Sequence, residues 1–201
     1  MGHAPKFLLE NEYYETHEEV AIINRFSQDR KIAIPMMNKL GIKYSSLKKR
    51  YGGPLVLASY KAIIMLPYQV SIMKMMENFR YGVATILPSE RLFIEMCKKK
   101  VYDFPVKHLL NIPGGVSKYI EFYNKEFRDL FIYFDKWEDL PEIIEKTDFE
   151  SIKIKAKDFM ISYEKKQLNL WKQVFGISPP KNVIKNKKPL CNKKVFFNVD
   201  I

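Results

Sequence analysis

The chain is 201 residues long, 47% apolar and 28% charged, which suits one ordinary domain with a buried core and is too apolar for disorder. Its formal charge is +11, from 34 Lys and Arg against 23 Asp and Glu. No run reaches the roughly 20 apolar residues of a membrane span, and the charges and Pro5 within Met1 to Glu12 exclude a signal peptide's apolar region there.

Read in chain order, Glu19 to Phe26 is a buried strand entered from solvent. A helical pattern follows from about Gln28 to Leu40, shortened or kinked by Pro35 and stopped by Gly41, a good residue for the turn that closes a helix. Ile42 to Leu47 is a weaker strand. Tyr60 to Leu66 is a strong one, ended by Pro67. Ser71 is placed to cap a helix whose apolar face is Ile72, Met75, Met76 and Phe79, a set at i, i+3, i+4, i+7, with Gly82 as its stop. The cluster Met73, Met75, Met76 reads as core filler.

Val83 to Leu87 is the next strand. Ser89 caps a further helix carrying Leu92, Phe93 and Met96 into Lys98-Lys99-Lys100, where cations suit the helix's negative end. Val101 to Arg128, with Pro105, Pro113, Gly114 and Gly115, is irregular and too long for a mere connector, so a short helix is expected near Val116 to Tyr123. Asp129 to Phe134 is a strand. Glu138 to Lys146 is a short helix with Pro141 in its first turn. Ile152, Ala156, Phe159, Met160, Tyr163, Trp171 and Val174 mark a long amphipathic C-terminal helix, with Trp137 and Trp171 as packing anchors. Strands that alternate with helices, of which Ile63–Leu66 and Leu130–Phe134 are apolar rather than alternating, predict an α/β domain: a Rossmann-like, mostly parallel sheet with helices on both faces, spanning residues 1–175.

Residues 176–201 read as a separate basic tail. Six lysines stand there against Asp200, which supplies +5 of the +11, and Pro179, Pro180 and Pro189 break any helical period. The remaining charge includes the clusters Lys48-Lys49-Arg50 and Lys98 to Lys100. A balance of this kind attracts phosphates of any source, or it is simply a solvated surface. Cys97 and Cys191 make no disulfide framework, so a reducing, cytoplasmic setting is expected. Cys97 sits on a helix with no nearby histidine and reads as structural. The three histidines lie too far apart in sequence for a metal-ligand spacing, and neither a dinucleotide fingerprint nor a P-loop follows any strand.

The block from Tyr51 to Ser89 carries the most information. It runs Tyr51-Gly52-Gly53-Pro54, then Tyr60 through Leu66 to Pro67-Tyr68-Gln69, then Glu77-Asn78 and Gly82-Val83. In open parallel sheets, ligands bind beyond the carboxyl ends of the strands, which is where Pro67 to Ser71 falls. This block resembles the donor-binding half of glycosyltransferases with the two-Rossmann, B-type fold. The resemblance spans roughly Glu19 to Phe175, but its specific content lies between Arg25 and Ser89.

The resemblance implies that Glu77, five residues before Gly82, hydrogen-bonds the ribose of a nucleotide sugar. The acid usual eight residues earlier is replaced by Gln69, which can still bond a hydroxyl. Asn24-Arg25 stands where many retaining members have Gly-Arg, and a phosphate-binding Lys five residues on would correspond to Arg30 or its neighbour Lys31. Tyr68 is placed to stack on a base, and Ser71 to present a helix N-terminus to the diphosphate. With no Asp-x-Asp motif, the implied transfer is metal-independent and needs no cofactor: the nucleoside-diphosphate sugar is the substrate. A chain of this length has room for one such domain, so the acceptor-binding half is expected to be a separate domain or chain. The competing reading is a non-catalytic basic module that meets nucleic acid or a protein through its lysines.

Overall fold

The structure, a computed structural model, describes residues 16–177 except 72, 100, 101, 103 and 106. The expected Ile72 contact, the lysine at position 100 and the tail beyond Ile177 therefore lie outside the described residues. The chain divides into two compact units, Met1–Tyr163 and Glu164–Ile201.

The first unit is built on five parallel strands: β1 (Val20–Ile23), β2 (Tyr44–Leu47), β3 (Ile63–Ile64), β4 (Thr85–Pro88) and β5 (Ile132–Phe134), in the spatial order β2-β1-β3-β4-β5. β1 lies inside the sheet, between β2 and β3, and is apolar on both faces: Val20, Ala21 and Ile22 are all buried. Val20 and Ile22 pack with Ala33 and Met37 on one side of the sheet. Ala21 and Ile63 pack with Leu57 on the other, so helices cover both faces.

The first helical segment is split as Pro35 demands. A proline has no N–H to give to the carbonyl four residues back, and a wide π-type turn, Asp29–Ala33, precedes α1 (Ile34–Lys39). Gly41, at φ 65°, ends α1; its N–H reaches the Asn38 carbonyl (3.1 Å) and Ile42 N–H reaches that of Met37 (3.0 Å). Between β2 and β3 lies α2 (Pro54–Ala58), a single turn that the apolar periodicity does not reveal. It starts where Gly52 and Gly53 adopt φ of 96° and 104°.

The helix after β3 is α3 (Met73–Tyr81), closed by Gly82 at φ 65°. Met75 and Phe79 are buried and Met76 packs beside them. Met73, by contrast, is 87% exposed rather than core: it lies about 200° round the helix from Met75. Ser89 caps α4 (Glu90–Lys98) as expected, its Oγ accepting the Leu92 N–H at 3.3 Å.

The irregular stretch that follows contains α5 (Gly115–Tyr119) and three short 3-10 turns. It braces the sheet. The Tyr102 hydroxyl donates to the carbonyl of Pro67, three residues beyond β3, and that of Tyr123 to the carbonyl of Pro88, the last residue of β4, at 3.0 Å, so each buried C=O is satisfied by a phenol. Both tyrosines are fully buried among Phe93, Phe104 and Phe122. Burial holds both hydroxyls protonated well above the usual phenol range.

After β5 come α6 (Leu140–Lys146), with Pro141 in its first turn, and α7 (Phe149–Val174). Trp137 packs on Phe134 with ring centres 5.0 Å apart. Trp171 stacks on Phe175 instead and is 56% exposed, so it does not anchor a core. Among the described residues no helix is long and apolar enough to cross a membrane.

Candidate functional site

The sheet order places a switch point between β1 and β3. The chain leaves β1 toward β2 on one side, then returns across the sheet to β3 and continues to the other. Loops at the two carboxyl ends therefore diverge and leave a crevice. Here it measures about 110 Å³. Its floor is apolar, from Ile23, Ile64, Met65 and Leu66 of the strand ends, and its walls and rim carry Arg25, Phe26, Asp29, Lys49, Tyr51, Tyr68 and Lys74.

The β1 side is fixed by one carboxylate. After the last ladder bond, from Asn24 N–H to the Leu47 carbonyl (2.9 Å), the chain turns sharply. Asp29 Oδ2 accepts the main-chain N–H of Phe26 at 2.7 Å and that of Arg25 at 3.2 Å. The side chain is buried, and that burial pushes its pKa up against the pull of the two N–H groups and of Arg30. Thus clamped, the loop holds the Arg25 guanidinium over the Phe26 ring at 4.9 Å, and Phe26 against Tyr68 at 4.2 Å.

The opposite side comes from the β2–α2 loop and α3. The Lys74 ammonium lies over the Tyr51 ring at 5.2 Å and 2.7 Å from Glu77 Oε2. Burial raises the Tyr68 hydroxyl's pKa while the positive charge of Arg25 opposes the rise, as does that of Lys74. Arg25 and Lys49 make no ion pair among the described residues. Asn78, next to Glu77, is buried with neither amide atom hydrogen-bonded.

Of the residues the sequence suggested, Arg25 and Tyr68 line the crevice. Glu77 stands one step behind its lining, bonded to Lys74. Arg30 is exposed and turned back, its Nη1 3.4 Å from Asn24 Oδ1 and from the Arg25 carbonyl oxygen. Lys31, Gln69 and Ser71 are exposed and do not line the crevice.

The residues that sequence reasoning passed over are Phe26, Asp29, Lys49, Tyr51 and Lys74. Lys49 belongs to a cluster read only as charge. Tyr51 and Lys74 belong to the informative block, but nothing in their spacing says that they meet. Asp29 carried a usable signal, an acid three residues after the turn residue whose N–H it accepts.

Chemically, the crevice offers aromatic faces beside Arg25 and Lys49, which have no ion-pair partner among the described residues, and beside Lys74, which is paired with Glu77. It suits an anion attached to a flat or apolar group. Among the described residues no cluster of three or more His, Cys, Asp or Glu side chains is arranged to hold a metal ion. Neither the known protein-family models nor the curated proteins include a match to this chain.

Proposed function

We propose that the domain binds a nucleoside-diphosphate sugar in the crevice between the ends of β1 and β3, as the donor-binding part of a glycosyltransferase. The observation that carries this reading is the rim of Arg25, Lys49 and Lys74 around an aromatic-walled slot at the switch point. Arg25 and Lys49 meet the diphosphate, and Tyr51, Phe26 or Tyr68 offers a face to the base. Glu77, held beside Lys74, accepts hydrogen bonds from ribose hydroxyls. In transfer, the bond between the sugar's anomeric carbon and the diphosphate breaks as an acceptor hydroxyl attacks that carbon and gives its proton to the departing diphosphate. The cations stabilise the negative charge that the departing diphosphate gains. The acceptor, on this reading, is held by another domain or chain.

Isothermal titration with uridine, guanosine, adenosine and cytidine diphosphates tests the reading. At least one should bind, and Arg25→Ala should weaken it by roughly tenfold or more, the loss expected for one charge-assisted contact. Absence of binding by all four at millimolar concentration, or tight binding untouched by Arg25→Ala and Lys74→Ala together, refutes it.

A further inference from the structure

The end of the C-terminal helix carries an apolar face that no described residue covers. Leu168, Leu170, Trp171, Val174, Phe175 and Ile177 are all exposed, from 44% at Leu170 to 73% at Val174. At 100° per residue, the five that precede Gly176 fall within an arc of about 160°. Asn169, Lys172 and Gln173 occupy the other side. Trp171 and Phe175, one turn apart, stack with ring centres 5.5 Å apart. The helix then stops cleanly. Gly176, at φ 63°, donates its N–H to the Gln173 carbonyl (3.2 Å) and Ile177 donates to that of Lys172 (2.8 Å).

The charge around this face is mostly positive, with Glu164 one turn before Leu168 as the acid. Lys165 and Lys172 are exposed beside it, and the sequence beyond Ile177 adds six lysines against one aspartate. We propose that this segment is an interfacial anchor for an anionic lipid surface. Its Trp, Phe and Leu side chains enter the boundary between headgroups and acyl chains, and its lysines meet the headgroups. A short helix with aromatic and aliphatic residues on one face and lysine on the other has the composition of helices that lie in the membrane plane. Trp is favoured at that depth because its body is apolar and its N–H remains near water. Each lysine near an anionic leaflet adds attraction. A second copy of the chain is a poorer occupant, since pairing the same face would bring the lysines together. The inference is independent of the donor-binding reading.

Vesicle flotation of the full chain tests it. The chain should float with phosphatidylcholine vesicles containing about 30% phosphatidylserine and not with phosphatidylcholine alone, and salt of about 0.5 M should weaken the binding. Replacing Trp171 and Phe175 together by Glu should reduce binding about tenfold or more while circular dichroism retains the helical signal. Failure to float with the anionic vesicles overturns the proposal, as does equal flotation of the double variant. A dimer in sedimentation velocity that the double variant dissociates, without vesicle binding, would assign the face to a second copy instead.

Discussion

Replacing Asp29 by Ala removes the acceptor of the Phe26 N–H and one of two acceptors of the Arg25 N–H, which also reaches the Ile23 carbonyl at 2.8 Å, at the carboxyl end of β1. The Phe26 N–H bond at 2.7 Å is short and the Arg25 N–H bond at 3.2 Å weaker, and both lie in a partly buried turn. Hydrogen bonds to a charged acceptor contribute about 1.5–3 kcal/mol each, but the burial that raises the carboxyl's pKa offsets part of this. Asp29→Ala should therefore cost about 2 kcal/mol in urea unfolding at neutral pH.

Asp29→Asn should cost less than about 1 kcal/mol, because its amide oxygen can accept both N–H groups without a buried charge. The two proteins should also differ with pH. Since burial lifts the folded-state pKa above the ordinary 3.8, the folded form holds the proton more tightly, and the ionised carboxylate subtracts stability above that raised pKa. Wild type should thus gain on Asp29→Asn as pH falls through the folded-state pKa, with the gain complete below the unfolded value. If Asp29→Ala unfolds within about 0.5 kcal/mol of wild type, or Asp29→Asn is equally damaging, the carboxylate does not hold the turn.

Two further outcomes are expected. Asn78→Leu should raise stability by about 1–2 kcal/mol in thermal or urea unfolding, because it replaces a buried amide without partners by an apolar group of similar size; a loss of stability would show that the amide is bonded in solution. Burial pushes the Cys97 thiol up to about 12. In a Cys191→Ser background the native protein should therefore resist a thiol-disulfide reagent at about pH 8 and react once unfolded in urea, and rapid native labelling would contradict that burial.

Most of the sheet was legible because strands such as Val20-Ala21-Ile22-Ile23 are apolar runs rich in β-branched residues, whereas β2, with Ser45 and Ser46, gave the weaker signal. The ends of α3 and α4 were legible because Gly82 and Ser89 act locally, through a positive φ and a side-chain cap. The single turn of α2 escaped because five residues cannot show a 3.6-residue period. The strand expected over Tyr60 to Leu66 shrinks to Ile63–Ile64, since its ladder is set by what its two neighbours can pair. At the crevice, Arg25 and Tyr68 stand two and four residues beyond the ends of β1 and β3 and could be placed from sequence. Lys49, Tyr51 and Lys74 reach the same space only through the parallel crossings, which no local spacing records.

The two phenol-to-proline contacts carry a consequence for how the molecule is made. Each joins residues 35 positions apart, and closing a loop of that size costs about 3 kcal/mol of chain entropy before the bond returns anything. β1 and β2 can pair as soon as Leu47 is available, but the ends of β3 and β4 acquire their final partners only when Tyr102 and Tyr123 have been synthesised and folded back. Tyr68, adjacent to Pro67, forms part of the candidate binding wall. During synthesis from the N-terminus, the scaffold under the crevice thus precedes the setting of its edge, and ligand-binding competence is a late event in assembly rather than a property of the first strands to form.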